Sequence, residues 1–486
     1  MKSVCVIGGG VGGLMTGALL AKEGFMVTVL EKNRTVGGGL QCFSRRGYLF
    51  DPGMHVFGGM QKGGNLRTIL EYLGVADHLH FEPCSDTLVH DGEIISLGCG
   101  RDAWIESIGG GQHRSELEAY VDALYRLADT EDLFNLREES GERKAENISA
   151  KELVEHYISD HELRKRVAYV THLYDGAADS PALLHALTSV LHIDGCHTLL
   201  PSAHTLAEAL CNTIAAAGGE VHSSCDVTTI EAEGREVKAV ICGTERFSAD
   251  HYVSAIGIGA LLRIAPREAF STAFRSRIKA ASMCCSAFSV YGILKPHTVL
   301  HRDTGYHVLR RGASAWDMAN VTADEWPHNL FLMTTADKDD PRYAATFTLV
   351  APMNYSNVQR WEESTAGHRP ADYREWKQQM AERAILLAEE AIGPIETEYI
   401  ETASPLTLRD YNGTTCGSCY GLHPSVLTPE ITTLSPRTRM SNLYLTGQDV
   451  NFHGMVGTSL TAVLTAESIV GTNTIVKKTH NTIWKQ

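Results

Sequence analysis

The first thirty residues contain a glycine-rich turn between two apolar segments, and this pattern constrains the fold more than any other part of the chain. Residues 3–7 form a short apolar run that is typical of a buried parallel strand. They lead directly into residues 8–13, Gly-Gly-Gly-Val-Gly-Gly, which match G-x-G-x-x-G. Residues 14–23 then predict a helix, and residues 26–30 predict a second strand that ends at Glu31. This order is that of a βαβ dinucleotide-binding unit.

Each part of this unit has a physical role in holding a dinucleotide. Gly8 permits the tight turn, Gly10 lets the backbone approach a pyrophosphate, and Gly13 lets the helix and strand pack closely. The phosphates would then lie at the helix N-terminus, where the helix dipole is positive. Glu31 is placed to accept a hydrogen bond from a ribose hydroxyl, and its charge would repel a 2′-phosphate. The unit is therefore predicted to hold FAD or NAD rather than NADP.

Composition and charge limit the class of protein. The chain has 486 residues, of which 43% are hydrophobic and 21% charged, as expected of a globular protein with two or three domains. The formal net charge of −15 argues against a nucleic-acid partner, because phosphate binding requires Lys and Arg. The sequence shows neither a secretion leader nor an apolar stretch that could span a bilayer, so we expect a cytoplasmic protein. Cys416 and Cys419 form one C-x-x-C pair without a second such pair of zinc-finger spacing, and no metal site is predicted.

A second glycine cluster follows the acid and favours FAD over NAD. Residues 37–39 are all glycine, and residues 50–55 read Phe-Asp-Pro-Gly-Met-His. NAD-binding domains do not usually carry such a cluster directly after the acid. Glu-Lys, the glycine cluster and Phe-Asp-x-Gly-x-His together resemble the flavin-binding N-terminus of the phytoene desaturase, carotenoid isomerase and retinol saturase superfamily. The stretch through Gly58 resembles the retinol saturase branch most, although Gly39 stands where many members have Arg.

Segments near the C-terminus are also similar to retinol saturase sequences, above all residues 442–449, Asn-Leu-Tyr-Leu-Thr-Gly-Gln-Asp. The resemblance implies that Gly447 and Asp449 face the ribityl chain and the pyrophosphate, and that Val227 bonds the adenine through its backbone. It also implies that a helix opening at residues 454–459 has its N-terminus beside the flavin pyrimidine ring. The predicted cofactor contacts are Gly8, Gly10, Val11, Gly12, Gly13, Glu31, Lys32, Gly38, Gly39, Leu40, Gly53, Met54, His55, Val227, Gly447, Asp449, Val456 and Gly457.

The domain organisation is predicted to be discontinuous. The resemblance implies a Rossmann-like α/β FAD-binding domain of the glutathione reductase or amine oxidase type, with an inserted α+β substrate domain. The FAD-binding domain is assigned residues 1–65, 195–260 and 421–475, the substrate domain residues 66–194 and 261–420, and a C-terminal tail residues 476–486. Residues 63–180 are predicted to be helical rather than sheet core, and their charged run at 131–147 to be a solvated face. Strands over 286–294 and 344–350 are predicted to form one wall of an apolar tunnel.

The chemistry that such a site needs is limited. A flavin exchanges a hydride with its substrate, so the protein has to add an apolar slot and a proton donor. Four residues are candidates for the donor: His55, Tyr411, Tyr420 and His453. The leading hypothesis is an FAD-dependent oxidoreductase that saturates or desaturates a carbon–carbon double bond of a lipophilic, polyene- or retinoid-like substrate. NAD(P)H binding transiently, or a protein, would supply the electrons.

Two other functions stay open at this point. One is a redox-neutral isomerase that changes a polyene or unsaturated lipid between cis and trans with the help of reduced flavin. The other is a flavin-free lipid- or prenyl-binding protein, as in the Rab escort and GDP dissociation inhibitor relatives of the same fold, although Asp449 and the intact glycine motif argue against it. An apolar substrate suggests peripheral membrane contact, for which residues 261–281 are the candidate segment. The sequence does not indicate an oligomeric state.

Overall fold

Two large sheets and their flanking helices make up the computed structural model, which describes residues 1–138, 147–316, 321–429 and 433–483. The strands are β1 (Ser3–Ile7), β2 (Met26–Leu30), β3 (Phe43–Arg45), β4 (Tyr48–Phe50), β5 (His80–His90), β6 (Glu93–Ser96), β7 (Cys196–Leu200), β8 (Glu220–His222), β9 (Val227–Glu233), β10 (Glu236–Cys242), β11 (Glu245–Phe247), β12 (His251–Ser254), β13 (Ser286–Leu294), β14 (Thr304–Leu309), β15 (Asn329–Ala336), β16 (Ala344–Met353), β17 (Thr397–Ala403) and β18 (Leu443–Leu445). The helices are α1 (Val11–Lys22), α2 (Asn65–Leu73), α3 (Arg101–Asp129), α4 (Ala150–Tyr157), α5 (His161–Val167), α6 (Ala182–Ile193), α7 (His204–Ala216), α8 (Ile258–Ile264), α9 (Thr272–Ala280), α10 (Ala371–Ile392), α11 (Pro405–Asn412), α12 (Gly454–Val470) and α13 (Thr474–Ile483). Part of the charged run predicted at 131–147 lies outside the described residues.

The first sheet is parallel and brings together distant parts of the chain. Its five strands lie in the order β18-β12-β1-β2-β8. Successive side chains of β1 face opposite sides: Val4 and Val6 pack in the core with α1 and α12, whereas Cys5 and Ile7 pack with β9 and β10. Both faces are therefore covered, which explains why β1 is apolar without alternation. The arrangement is the predicted Rossmann-like α/β architecture.

The second sheet has eight strands in the described chain and is mostly antiparallel. Its order is β17-β13-β16-β15-β14-β5-β6, and β7 pairs with β5 on a separate edge. All nine residues of β13 are buried, because α10 packs against the sheet on one side and the cavity described below lies on the other. The strands predicted at 286–294 and 344–350 are confirmed as β13 and part of β16.

One prediction about this sheet is wrong. Residues 63–180 are not only helical, because β5 and β6 come from this stretch and β5 pairs in parallel with β14. The pattern of β5 is hard to recognise, since Pro83 and the buried carboxylate of Asp86 interrupt a strand whose apolar residues would otherwise mark it as core.

The C-terminal segment also differs from the sequence interpretation. The sequence predicts a C-terminal tail over 476–486, yet most of this stretch belongs to α13, which packs against α2 and α12, and Ile475 and Val476 are buried. The Glu467 carboxylate on α12 accepts hydrogen bonds from the N–H groups of Asn473, Ile475 and Val476. A carboxylate at this position satisfies the open end of α13 and favours its dipole. Of the helices within the described chain, none combines the length and the apolar character needed to cross a bilayer.

Candidate active site

The turn between β1 and α1 is tight enough to require glycine. Gly8 has a φ of +103°, and a Cβ on Gly13 would lie 1.9 Å from the carbonyl oxygen of Gly8. A Cβ on Gly12 would lie 2.9 Å from the Cα of Gly447, two residues after the end of β18. Helix α1 begins after Gly10 without a side-chain cap. The helix N-terminus is therefore held against two strands and keeps its amide groups for an anionic ligand.

The second glycine cluster packs on the first through backbone contacts alone. The Gly37 N–H donates to the carbonyl of Gly9 at 2.7 Å, and a Cβ on Gly38 would lie 3.0 Å from the Cα of Gly10. Farther along the chain, a Cβ on Gly53 would lie 2.7 Å from the carbonyl oxygen of Gly39. Side chains at these positions would fill the space that a dinucleotide needs for close backbone approach.

Glu31 ties these two turns together. Its Oε2 accepts the Gly9 N–H at 2.7 Å, and its Oε1 accepts the Asn33 N–H at 2.8 Å. A carboxylate offers about four lone-pair sites, so two are left for a ribose hydroxyl. The neighbouring Lys32 Nζ donates to the Asp410 carbonyl at 3.3 Å, which brings the Tyr411 segment over this end of the site.

A cavity of about 520 Å³ extends from the second glycine cluster to the second sheet. This volume is within the range of small-molecule sites. Seven of the predicted cofactor residues line it: Gly38, Gly39, Gly53, Met54, His55, Val456 and Gly457. The others lie outside its lining: Gly8, Gly10, Val11, Gly12, Gly13, Glu31, Lys32, Leu40, Val227, Gly447 and Asp449. The first group is the set placed to meet a ring system, and their contacts with a cofactor stay predictions.

Three of the predicted cofactor residues that lie outside the cavity lining have other partners. Leu40 is fully buried in the core beneath the sheet, and Val227 pairs with Cys242 between β9 and β10. The two carboxylate oxygens of Asp449 accept the backbone N–H groups of Ile258 at 2.8 Å and Leu422 at 3.1 Å. The structure therefore shows Asp449 fixing the loops around the site, and the predicted contact with a ribityl chain would be additional.

The N-terminus of α12 points into the cavity. Residues 454–457 all line it, and the helix has no side-chain cap at His453. A Cβ on Gly457 would lie 2.6 Å from the Cβ of Phe452, so the first turn is closely packed on the preceding loop. The positive end of a 17-residue helix is thus available to a ring edge that carries negative charge.

All four predicted donor residues line the cavity, but their surroundings differ. Burial lowers the pKa of His55 and of His453 to about 4, so both imidazoles are neutral at pH 7. The pKa of Tyr420 is raised well above its ordinary value by burial. Tyr411 is 60% exposed and lies at the mouth. At neutral pH neither histidine is a cation, and Tyr420 keeps its phenolic proton. The catalytic roles of all four residues stay predictions.

His55 adds an observation about ligand fit. Its Nε2 is buried and has no hydrogen-bond partner among the described residues. A buried polar atom without a partner is costly, and a ligand with a polar edge would satisfy it. Together with the glycine-lined turns and the uncapped helix α12, this atom makes the site suited to a flavin dinucleotide.

Sequence reasoning missed the opposite wall of the cavity. Helix α6 contributes five residues at helical spacing: Leu184, Leu187, Thr188, Leu191 and His192. The spacing i, i+3, i+4, i+7, i+8 is a signal that the sequence contains and that marks one helix face. Across from it, Ser289 and Tyr291 of β13 and Phe331 of β15 complete an apolar slot between helix and sheet.

Comparison with known proteins agrees with this geometry. The parallel sheet, the paired glycine turns and the uncapped helix define a Rossmann-like FAD-binding fold. The profile of the flavin containing amine oxidoreductase family matches residues 11–290, and the chain belongs to that family. All-trans-retinol 13,14-reductase of Homo sapiens is 24% identical over 532 residues, which cover 97% of this chain and 86% of that protein.

Solved structures support the same fold. Cyclohexylamine oxidase from Brevibacterium oxydans has a TM-score of 0.61 at 17% identity and covers 100% of this chain and 99% of its own. A CLA-producing fatty acid isomerase from P. acnes has a TM-score of 0.62 at 14% identity and covers 96% of this chain and 98% of its own. The predicted membership of the desaturase and retinol saturase superfamily is confirmed, and the cofactor is a flavin.

Proposed function

We propose that this protein is an FAD-dependent oxidoreductase that saturates a carbon–carbon double bond of a lipophilic polyene such as a retinoid. One observation carries the proposal: the cavity of about 520 Å³ lies between the aliphatic face of α6 and the uncapped N-terminus of α12. An apolar slot beside a helix dipole suits a hydrocarbon chain held against a ring that accumulates negative charge.

The residues of the chain have distinct parts in this proposal. The backbone at residues 8–13 and 37–39 would hold the phosphates and ribityl chain, and Glu31 the ribose. When bound, the flavin supplies or accepts the hydride. Leu184, Leu187 and Leu191 would orient the polyene and exclude water. A proton has to reach the second carbon from a side chain of the cavity, because an apolar slot holds no bulk water.

The relatives favour reduction over the reverse reaction. The human protein that matches 97% of this chain is named a retinol 13,14-reductase. The 4,4'-diapophytoene desaturase of Staphylococcus haemolyticus, a second relative, is 24% identical over 250 residues, so desaturation is the competing direction. NAD(P)H binding transiently, or a protein, would provide the electrons, and residues 261–281 would contact a membrane surface from which the substrate is taken.

The anaerobic reaction of pre-reduced protein with all-trans-retinol tests this function. A saturase reoxidises its flavin in a one-to-one ratio with saturated product. An isomerase converts the polyene while its flavin stays reduced, and the fold shared with a fatty acid isomerase makes this the outcome to exclude. Purified protein that is colourless and cannot be reconstituted with FAD would instead establish a flavin-free lipid-binding protein.

A further inference from the structure

A buried carboxylate surrounded by histidines lies behind the wall of the cavity. Asp86 on β5 accepts a hydrogen bond from His192 Nδ1 on α6 at 2.7 Å and from His307 Nε2 on β14 at 3.0 Å. The Tyr169 hydroxyl donates to the same carboxylate at 3.1 Å. His172 Nε2 and His307 Nδ1 are 3.2 Å apart. The side chains of Asp86, His192 and His307 are all less than a tenth exposed.

The chemistry of these groups fixes the direction of the hydrogen bonds. A carboxylate can only accept, so His192 and His307 both carry a proton on the nitrogen that faces Asp86. Because His307 Nε2 donates and its ring is neutral, its Nδ1 has to accept from His172 Nε2. Three donors, His192, His307 and Tyr169, therefore converge on one buried anion. Of the two histidines that bond Asp86, His307 also bonds His172 through its second nitrogen, whereas His192 does not.

The charge of the cluster resides on Asp86 and His192. Burial by itself would raise the pKa of Asp86, but His192 and His307 outweigh it and hold that pKa well below its ordinary range. Burial would lower the pKa of His192, whereas its contacts with Cys196 and Asp86 raise it well above the ordinary value. Burial also raises the pKa of Cys196, which keeps it a neutral thiol that cannot stabilise a cation by charge. The partner that raises the pKa of His192 is therefore Asp86, the anion 2.7 Å from its Nδ1. His172 and His307 have pKa values lowered by burial and are neutral.

His192 has a second ring nitrogen, Nε2, that takes no part in the contact with Asp86. His192 lines the cavity, and its Nδ1 is the atom bound to Asp86. Its Nε2 has no hydrogen-bond partner within the described part of the chain, and it is not among the polar atoms sealed from solvent. Leu187 and Leu191 lie on the same helix face. The result is a cationic N–H held rigidly at the edge of an apolar slot.

A metal ion is a weaker interpretation of the same residues. Asp86, His192 and Cys196 each offer one ligand atom within 4.8 Å of the others. Ligands bound about 2.0–2.3 Å from a tetrahedral zinc lie more than about 3 Å apart. The 2.7 Å separation of Asp86 Oδ2 and His192 Nδ1 is that of a charge-assisted hydrogen bond, whose proton occupies the position that a metal would need.

We infer that His192 is the catalytic acid of this cavity and that Asp86 is the residue that positions it, an inference that rests on the proposed function. The imidazolium Nε2–H bond of His192 breaks and a new C–H bond forms at the carbon next to the one that receives the hydride. The double bond gains two electrons from the hydride, the flavin is oxidised by two, and His192 becomes a neutral imidazole. Water regains access when the product leaves and returns the proton to Nε2.

The charge state of His192 can be tested in the flavin-loaded protein without turnover. In protein labelled with ¹⁵N-histidine, the resonances lost in His192→Asn identify this ring. We expect imidazolium shifts at neutral pH in the wild type and a change towards the neutral form in Asp86→Asn. A neutral His192 ring in the wild type would overturn the inference.

Single-turnover kinetics test the acid role. His192→Asn keeps an amide N–H near the Nδ1 position, so the contact with Asp86 is retained while Nε2 is removed. In the anaerobic reaction with all-trans-retinol we expect this variant to bind flavin normally and to reoxidise it about 100-fold or more slowly, the scale of general acid catalysis. His80→Gln, on the same strand as Asp86 and with a side chain 68% exposed, is the matched control and should keep the wild-type rate.

The outcomes separate the two proposals. Wild-type protein that binds flavin but is not reoxidised overturns the proposed function and the acid role with it. An active wild type and a His192→Asn variant within about threefold of its rate overturn the acid role alone. Asp86→Asn supplies a further readout, because its rate should begin to fall at a lower pH than that of the wild type as the His192 cation loses its partner. A rate reduced equally at all pH values would make Asp86 merely structural and overturn its positioning role.

Discussion

The two ends of the cavity are built on different principles. At one end, glycine turns pack backbone against backbone, as where a Cβ on Gly53 would meet the carbonyl of Gly39 at 2.7 Å. At the other end, His192 of α6 and His307 of β14 converge on Asp86 of β5. The glycine end can bind a ligand because it lacks side chains, since any Cβ there would occupy the space of the ligand. The Asp86 end depends instead on its side chains, because its chemistry is set by the protonation of Asp86 and His192.

This difference predicts how each end responds to substitution. Backbone packing has no adjustable atoms, so even a methyl group at the glycine end should be disruptive at any pH. A cluster of ionisable side chains should instead tolerate isosteric changes in shape and respond strongly to changes in charge and pH. Four substitutions break or sharpen this comparison.

Gly13→Ala should have the largest effect. Its Cβ would lie 1.9 Å from the carbonyl oxygen of Gly8, so α1 has to move away from β1. We expect a loss of more than about 3 kcal/mol in the free energy of unfolding, together with loss of bound flavin, measured by urea unfolding and absorbance. Gly111→Ala in α3 is the control, because nothing lies within 4 Å of its Cβ and alanine favours a helix. A stable, flavin-loaded Gly13→Ala variant would refute the rigid-backbone account.

Asp86→Asn should cost about 3 kcal/mol of stability, the scale of breaking a buried ion pair. The lowered pKa of Asp86 gives stability that is present above about pH 3.9 and is lost as pH falls towards the folded value. The raised pKa of His192 gives stability that is complete below about pH 6.5 and is lost as pH rises through the folded value. Urea unfolding should therefore show the largest difference from wild type between about pH 4 and 6.5.

The control for this experiment is Asp102→Asn, whose side chain is 77% exposed and which should change stability little at any pH. A difference between Asp86→Asn and wild type that does not vary with pH would contradict the ion-pair description of the cluster.

Leu187→Trp should separate substrate binding from cofactor binding. Leu187 is 5% exposed and lines the α6 wall, so a larger ring occupies the slot itself. We expect all-trans-retinol to bind about 30-fold more weakly while flavin content is unchanged, since overpacking costs about 1–3 kcal/mol. Retinol fluorescence measures the binding, and Leu386→Trp at a site 68% exposed is the control. Equal loss of flavin would show that the two ligands do not occupy separate parts of the cavity.

Glu31→Gln should have the smallest effect of the four. The amide keeps one acceptor but sets an N–H against either the Gly9 or the Asn33 N–H, both of which donate to the carboxylate. We expect the Kd for FAD to rise about 10-fold, as for loss of one hydrogen bond to a charged group. Titration of apoprotein with FAD measures this, with Glu233→Gln on the exposed end of β9 as control. Unchanged affinity would show that Glu31 only joins the two turns.

The sequence is informative about the glycine end because its contacts are local. Gly8, Gly13 and Glu31 lie within about two dozen residues, and each has a spacing rule that follows from the βαβ geometry. The same reasoning recognised Gly447 and Asp449 only through a family resemblance. It did not identify the backbone groups of Ile258 and Leu422 as the partners of Asp449.

The cluster around Asp86 was not predictable, because its members are far apart in the chain. His192 and His307 lie 106 and 221 residues from Asp86. A lone Asp in an apolar strand weakens the strand prediction, so the sequence places β5 within a stretch predicted to be helical. Only the folded chain, which brings His192, His307 and Tyr169 to Asp86, shows that this carboxylate is partnered. Non-local pairing of this kind leaves no periodic signal in either strand.

The close approach of Gly12 and Gly447 also sets the order of events during synthesis. The first strand leaves the ribosome early, yet its neighbour β12 follows about 250 residues later, and β18, which pairs with β12, about 440 residues later. At roughly 5–20 residues per second, the N-terminal turn waits on the order of a minute for its partners. The predicted flavin site is therefore completed late, and a nascent chain halted before Gly447 and α12 would hold the motif without a site.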